Sequence, residues 1–374
     1  MCAHWHDVSL VGDQARPKRK LVWIAPSPLL QSSFSVISNE LLQRLKSYDI
    51  LYLGQNYMGE PRTMGNYTLA SYSTGEHILH YMDIFKPDVT VLFQSPPYLQ
   101  RFTPMTKLIT EKSLMVIYTP VESTPLGIDV NQLFNEAELL LVPSKWSQAC
   151  LRAHGIESEV LYHAVDTSIF KPSSKPAQFT IGSIASHVWR KQLTRILDAH
   201  RLAENKGCAI RCLMIASTYD VASWMPDLSG YRKQINSDAF LNETAYLNLP
   251  VNQREIAKLY DEMHCHVLTA TEAFGMPNLE AMASGVVPII INHGASPEVV
   301  GDCGIYARVS DYLDLIIGKV ALVDVQDLAE KMIWASQHPE ELKRLAAKGI
   351  DRAKLFNWND VTSRLEELLG EICI

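Results

Sequence analysis

The chain has 374 residues, 47% of them apolar and 20% charged, a length that suits two cores of roughly 150 to 200 residues better than one. This composition excludes disordered and fibrous classes, and a formal net charge of -7 sets aside a general nucleic-acid binder, whose surface collects Lys and Arg against phosphates. Seven cysteines without a CxxC pair, one of them necessarily left over, argue against a disulfide framework or zinc ribbon and read as reduced thiols in a cytoplasm.

Residues 1–19 are polar and aperiodic and read as an extension outside the fold, leading into the basic run Arg16-Pro17-Lys18-Arg19-Lys20. No apolar run reaches the ~18 residues of a membrane span, so the chain is expected to be soluble, with peripheral membrane contact through the basic run left open. From Leu21 onward, short apolar runs alternate with helix-period segments. LVWIA at 21–25 precedes a helical stretch over 34–47, and ILYLG at 50–54, VTVLF at 89–93, LMVIY at 114–118 and LLLVP at 139–143 follow. Such alternation predicts βα units on a parallel sheet, and strands this uniformly apolar are covered on both faces. A second series opens with FTIGSIA at 179–185 and continues through CLMIA at 212–216, AYLNL at 245–249, HVLTA at 266–270 and VVPIII at 286–291. Between the two series, the proline-rich stretch Phe170–Pro176 reads as the linker. After Asp324 the pattern is helical to the end. Neither half carries GxGxxG after a strand or GxxxxGK[ST], which removes the main support for a dehydrogenase or a P-loop NTPase.

The run His266–Gly285 reads as strand, glycine turn and helix, with Pro277 in the first helical turn, where a missing N–H costs nothing. Such a loop aims unpaired N–H groups at whatever sits above the helix start, which makes an anion site. Glu272 before the turn and Glu280 on the helix then flank a bound diphosphate and accept from sugar hydroxyls. On spacing alone an exposed loop acid and a helix-surface acid serve equally well.

The sequence EAFGMPNLEAMASGVVPIIINHGASPEVVGDCG, 272–304, resembles the donor-site signature of the retaining GT-B glycosyltransferases of family 4, EGFGLPxLEAMAxGxPVI followed by GxPEVVGDAG. SKWSQACLRAHGIESEVLYHAVDTSIFKP at 144–172 is similar to that family's interdomain segment ending in HGVDTxxFxP, and NQREIAKLY at 252–260 and RAKLFNWNDV at 352–361 also fit. The resemblance implies two Rossmann-like doubly wound α/β domains, 20–170 and 171–352, facing a cleft, with a helix at 353–374 packing back on the first domain. It implies that Glu272 contacts the donor sugar and that Glu280 holds the ribose. Phe274, Gly275, Met276, Pro277, Asn278 and Leu279 then approach sugar and phosphates.

A leaving diphosphate gains charge, so cations are sought near it. IGSIASHVWRK at 181–191 ends the first strand of the second domain at the edge of the expected cleft. The resembling family places an arginine there and a lysine five positions later. Lys191 matches the lysine, Ser186 stands at the arginine position, and Arg190 beside Lys191 is the candidate substitute; helix capping is the alternative for both. Gly182 is counted with the donor site, and His187 can also donate to phosphate. In the first domain the family's glycine loop is replaced by Ala25-Pro26-Ser27-Pro28 and Ser32-Ser33, and its histidine is missing from Thr119-Pro120-Val121-Glu122. Glu122, at a strand end, is able to orient the acceptor or to stabilise cationic sugar character, or is an ordinary loop acid. His163 matches the family's HGVD histidine, either lining the cleft at the hinge or packed in the linker. His264 and His266 alternate on a strand and read as structural, with no third metal ligand nearby. No metal site is expected: side chains and a helix dipole neutralise the phosphates, and no cofactor is obligatory beyond the nucleotide-sugar donor. The reading is a retaining hexosyltransferase acting on an unidentified acceptor hydroxyl. A non-catalytic nucleotide-sugar or glycan binder, an epimerase and a glycan phosphorylase are the alternatives.

Overall fold

The computed structural model describes residues 18–30, 32–123, 131–186, 188–217, 240–241, 252–315 and 318–373. The strand expected at 245–249, His187 and residues 1–17 of the extension lie outside them, and the first strand already begins at Arg19. Eight described strands form the first sheet: β1 (Arg19–Pro26), β2 (Tyr48–Gln55), β3 (Arg62–Met64), β4 (Tyr67–Ser71), β5 (Val89–Phe93), β6 (Leu114–Tyr118), β7 (Leu139–Val142) and β8 (Glu159–Val160). They stand in the order β3-β4-β2-β1-β5-β6-β7-β8 and pair in parallel except for β3 with β4. Six more form the second: β9 (Thr180–Ser186), β10 (Arg211–Ser217), β11 (Phe240–Leu241), β12 (Cys265–Leu268), β13 (Val287–Ile291) and β14 (Ile305–Ala307), in the parallel order β11-β10-β9-β12-β13-β14.

The apolar runs take this place because helices cover both faces of each sheet: Leu21 to Ala25 are fully buried, as are Ile289 to Ile291. In each sheet the chain winds first one way and then the other from its first strand. The switch falls between β1 and β5 in one domain and between β9 and β12 in the other. In doubly wound sheets ligands bind outside the strand C-termini at that switch.

A hairpin of β15 (Val309–Leu315) and β16 (Gly318–Val323) was not among the expected elements. The last helix, Trp358–Ile372, lies against the first-domain helix Ser33–Arg44. Arg44 Nε donates to Asn359 at 3.2 Å, and Arg19 donates to the Cys373 carbonyl at 2.7 Å. Trp358, Leu365 and Leu369 thereby share one core with Trp23 and Leu41. At another corner the domains meet through Glu298. Its Oε1 accepts from the Lys145 N–H at 3.0 Å and the Tyr162 hydroxyl at 2.7 Å, and its Oε2 accepts from the Trp146 N–H at 3.1 Å. Those two amides open the helix Lys145–Arg152, where a carboxylate suits the helix dipole. No helix among the described residues is long and apolar enough to cross a membrane.

Candidate active site

The two switch points face one cavity of about 310 Å³, lined from both domains. On the second-domain side β12 ends at Leu268, and the chain turns at Gly275, with φ of 89°, into the helix Met276–Ala283. A left-handed residue is needed there, and glycine adopts it without strain. Gly294 is constrained more tightly: with φ of 74°, a Cβ on it would fall 2.9 Å from the Glu272 nitrogen. Only glycine lets the loop after β13 pass this close, and the Ala295 N–H then binds the Glu272 carbonyl at 2.8 Å. The backbone of Glu272 is thus clasped from behind.

Its side chain, 5% exposed, accepts from Lys191 Nζ and from Arg190 Nη1 at 3.1 Å. Arg190 turns its other nitrogen, Nη2, to Glu122 Oε1 of the first domain at 2.6 Å. One guanidinium therefore bridges carboxylates of both domains. Burial by itself would raise the Glu272 carboxyl, but Lys191 and Arg190 outweigh it and hold the group below the usual carboxylate range. At Glu122 burial wins over Arg190, and the carboxyl is raised. The cations are placed by Gln192, a left-handed residue with φ of 53° at the start of the helix Leu193–Asn205. Its buried amide donates to the carbonyls of Thr269 at 2.7 Å and Ala321 at 2.8 Å and accepts from the Val323 N–H at 2.9 Å. Thr271 accepts from the Ala321 N–H at 3.0 Å, so the hairpin braces the segment leading to Glu272.

Glu280, 9% exposed, lines the cavity and accepts at Oε2 from the Tyr260 hydroxyl at 3.0 Å, and burial pushes it up to about 7. His163, 5% exposed, sits between the rings of Tyr118 at 5.8 Å and Phe274 at 4.9 Å. Neither of its ring nitrogens has a hydrogen-bond partner among the described residues, and burial pulls it down to about 3, leaving a neutral imidazole.

Glu122, His163, Arg190, Lys191, Glu272, Phe274, Gly275, Met276, Pro277 and Glu280 all line the cavity, as does Ser186. Among the described residues, three assigned to donor binding do not. The missing side chain of Gly182 leaves room for Met263, whose Cε would lie 2.5 Å from a Cβ there, so this glycine serves packing. Asn278 and Leu279 are fully buried on the far side of their helix. At 100° per residue, positions 276, 277 and 280 share a face that 278 and 279 oppose. His264 and His266 accept the N–H groups of Thr180 and Ile184 on β9, each at 3.2 Å, which fixes them as sheet contacts. Tyr260, Gln192, Gly294 and Glu298 escaped the sequence reading. Of these, Gly294 and Glu298 lie inside the 272–304 signature and Tyr260 closes the matched segment 252–260, but no role was read for any of them.

Two cations, a helix start and two buried carboxylates around one cavity suit a diphosphate flanked by hydroxyl-bearing rings. Among curated proteins, the chain is 28% identical over 235 residues to MMP alpha-(1->4)-mannosyltransferase of Mycolicibacterium hassiacum, across 61% of this chain and 52% of that one. It is 36% identical over 93 residues to O-antigen chain mannosyltransferase B of Escherichia coli, across 25% of this chain and 21% of that one. These matches span about half and about a fifth of the relatives' lengths. Among solved structures, sucrose-phosphate synthase from Thermosynechococcus elongatus superposes with a TM-score of 0.74 at 12% identity, over 95% of this chain and 99% of that one. Anabaena Alr3699/HepE in complex with UDP-glucose gives 0.71 at 14% identity, over 94% and 99%. The architecture is therefore GT-B. Residues 165–352, just over half of the chain and including Lys191, Arg190, Glu272 and Glu280, match the model of glycosyl transferases group 1, and the chain belongs to that family.

Proposed function

We propose that the protein transfers a glycosyl residue from a nucleoside-diphosphate sugar to an acceptor hydroxyl with retention of configuration. One observation carries this reading: Glu272, Lys191 and Arg190 meet beside the start of the helix Met276–Ala283 in a cavity between two facing switch points. Family membership, relatives named as mannosyltransferases and a neighbour bound to UDP-glucose support it.

In this reading the diphosphate lies against Lys191, Arg190 and the N–H groups at Gly275 and Met276. Glu272 accepts from a donor-sugar hydroxyl and Glu280 from the ribose. The bond from the anomeric carbon to the diphosphate oxygen breaks with its electron pair on oxygen, where the cations stabilise the growing charge. The acceptor oxygen bonds to the same face of the anomeric carbon, and its proton passes to the departing diphosphate. Glu122 faces the acceptor side and stabilises cationic character on the sugar, while the neutral ring of His163 offers one donor and one acceptor to a hydroxyl. Because side chains and a helix start supply the positive charge, turnover is expected to persist in EDTA. Retention is carried over from the resembling family.

Release of labelled sugar from UDP-glucose and GDP-mannose, with the anomer identified by NMR as it forms, tests the reading. The expected first product keeps the donor's configuration. Binding without hydrolysis or transfer supports a non-catalytic binder instead, and an isomerised nucleotide sugar supports an epimerase.

A further inference from the structure

We propose that Tyr260 is a positioning residue for the nucleotide end of the cleft, its hydroxyl occupying one oxygen of Glu280 so that the other is aimed at the ribose diol. This rests on the reading of Glu280 above. Tyr260 belongs to the helix Gln253–Asp261 and is fully buried. Its ring is held edge-on by Phe170 of the linker at 6.0 Å and by His266 of β12 at 5.6 Å. Its carbonyl accepts from Lys175 of the linker at 3.1 Å. A tyrosine pinned on three sides has one place to put its hydroxyl. That hydroxyl lies 3.0 Å from Glu280 Oε2 and 3.0 Å from the Pro277 carbonyl oxygen.

One hydroxyl proton cannot serve two acceptors fully, and this makes the contact sensitive to the state of Glu280. When Glu280 is ionised, the proton goes to the carboxylate, because a charged acceptor forms the stronger bond. When Glu280 is protonated, its own O–H donates to the tyrosine oxygen, and Tyr260 turns to the Pro277 carbonyl. Both states are satisfied and both leave the second oxygen able to accept from a ribose hydroxyl, but only in the ionised one does that oxygen carry charge, which makes the bond to ribose the stronger one. Burial pushes Glu280 up to about 7, and the bond from Tyr260 works against that rise.

The other titratable groups near this pair are few among the described residues. His266 is held neutral, pulled down by burial to about 4. Lys175 is pulled down to about 8 and bonds to the Tyr260 and Ser284 carbonyls. The Glu272, Lys191 and Arg190 cluster lines the same cavity. All of these are common to the wild type and a Tyr260→Phe variant, so their contributions cancel in the ratio of the two affinities.

The test is calorimetric affinity for UDP-glucose and GDP-mannose from pH 6 to 9, using the full chain. Their diphosphate diester carries no group that titrates in this range, and the base N–H of uracil or guanine, which starts to ionise at its upper end, contributes equally to wild type and variant. Wild-type binding is expected to weaken as pH falls through about 7, by up to tenfold per unit, as one proton is taken up. Tyr260→Phe keeps the ring and removes only the oxygen. It is expected to weaken binding by roughly tenfold at pH 7, since a lost bond to a charged group costs at least that much. The deficit should shrink toward pH 9, where Glu280 ionises without help. Glu280→Gln should flatten the profile, and adding Tyr260→Phe to it should change affinity by less than about twofold, because the charge that made the bond strong is gone. Tyr260→Phe affinities equal to wild type at every pH overturn the inference. So does a loss of equal size at every pH that persists beside Glu280→Gln, which marks a packing role. A wild type that binds neither nucleotide sugar overturns the donor reading itself, and this inference with it.

Discussion

The two walls of the cleft share the same reversal of winding beside their first strands and carry different chemistry. At the ends of β9 and β12 the second domain delivers Arg190, Lys191 and Glu272, with Glu280 one turn into the helix that begins at Met276. At the corresponding ends of β1 and β5 the first domain delivers Ser32, Ser33, Phe34 and Phe93, and its single charged lining residue among those described is Glu122. Topology fixes where a ligand sits; the residues just past the strand ends decide what it is. A wall with paired cations suits the diphosphate, and a wall of rings and hydroxyls suits a sugar face.

The sharpest way to break this contrast is Glu272→Ala. It removes the proposed sugar contact and leaves Lys191 and Arg190 without their shared carboxylate, so donor hydrolysis should fall by about 10³-fold. Circular dichroism should remain that of the wild type. A variant that keeps a tenth of the rate would mean that the second-domain wall is not the reacting one.

A smaller effect concerns Glu280. Its carboxyl is raised by burial, so the folded state takes up the proton more readily than the unfolded chain does. The favourable contribution is complete below the ordinary carboxylate range and is lost as pH rises through about 7. Glu280→Gln cannot ionise and should exceed the wild type in stability at pH 8 by on the order of 2 kcal/mol. For a domain of this size that is a Tm gain of about 4 to 8 °C, and most of the gain should be gone by about pH 5, the rest disappearing below the ordinary carboxylate range. Equal Tm values at pH 8 would show that the site solvates this carboxylate well.

The smallest effect tests whether the first-domain wall acts electrostatically. Glu122→Gln removes a negative charge from Arg190 and should tighten nucleotide-sugar binding at pH 8 by about threefold, as an opposite charge no longer competes with the diphosphate. The gain should narrow on acidification, because Glu122, raised by burial, takes up its proton earlier than an ordinary carboxylate. Weaker binding in this variant would place Glu122 among the groups that help the donor.

Most of the sheets could be read from the sequence, because doubly buried strands such as Val89–Phe93 leave unbroken apolar runs. The hairpin Val309–Val323 could not. Its first strand is mostly exposed, so burial imposes no pattern on it. The signature singled out Glu272 and Glu280, which both line the cavity, but not which neighbours turn inward, and Asn278 and Leu279 lie outside the lining because the motif carries no helical phase. Gly182 was misread because a glycine at a strand can admit either a phosphate or a methionine, and here it is Met263. Tyr260 lies far in sequence from the carboxylate it holds. Nothing local to NQREIAKLY points to that partner.

The Glu298 contacts also bear on how the cleft can open. They tie the start of a first-domain helix to the second domain through two backbone N–H bonds and a tyrosine hydroxyl, while Arg352 grips the Glu298 and Val299 carbonyls at 2.6 Å. A separation that parts the domains evenly must break all three bonds to the carboxylate. A rotation about this corner keeps them, and the distance gained grows with distance from it. Glu298 in that sense is the pin of a jaw.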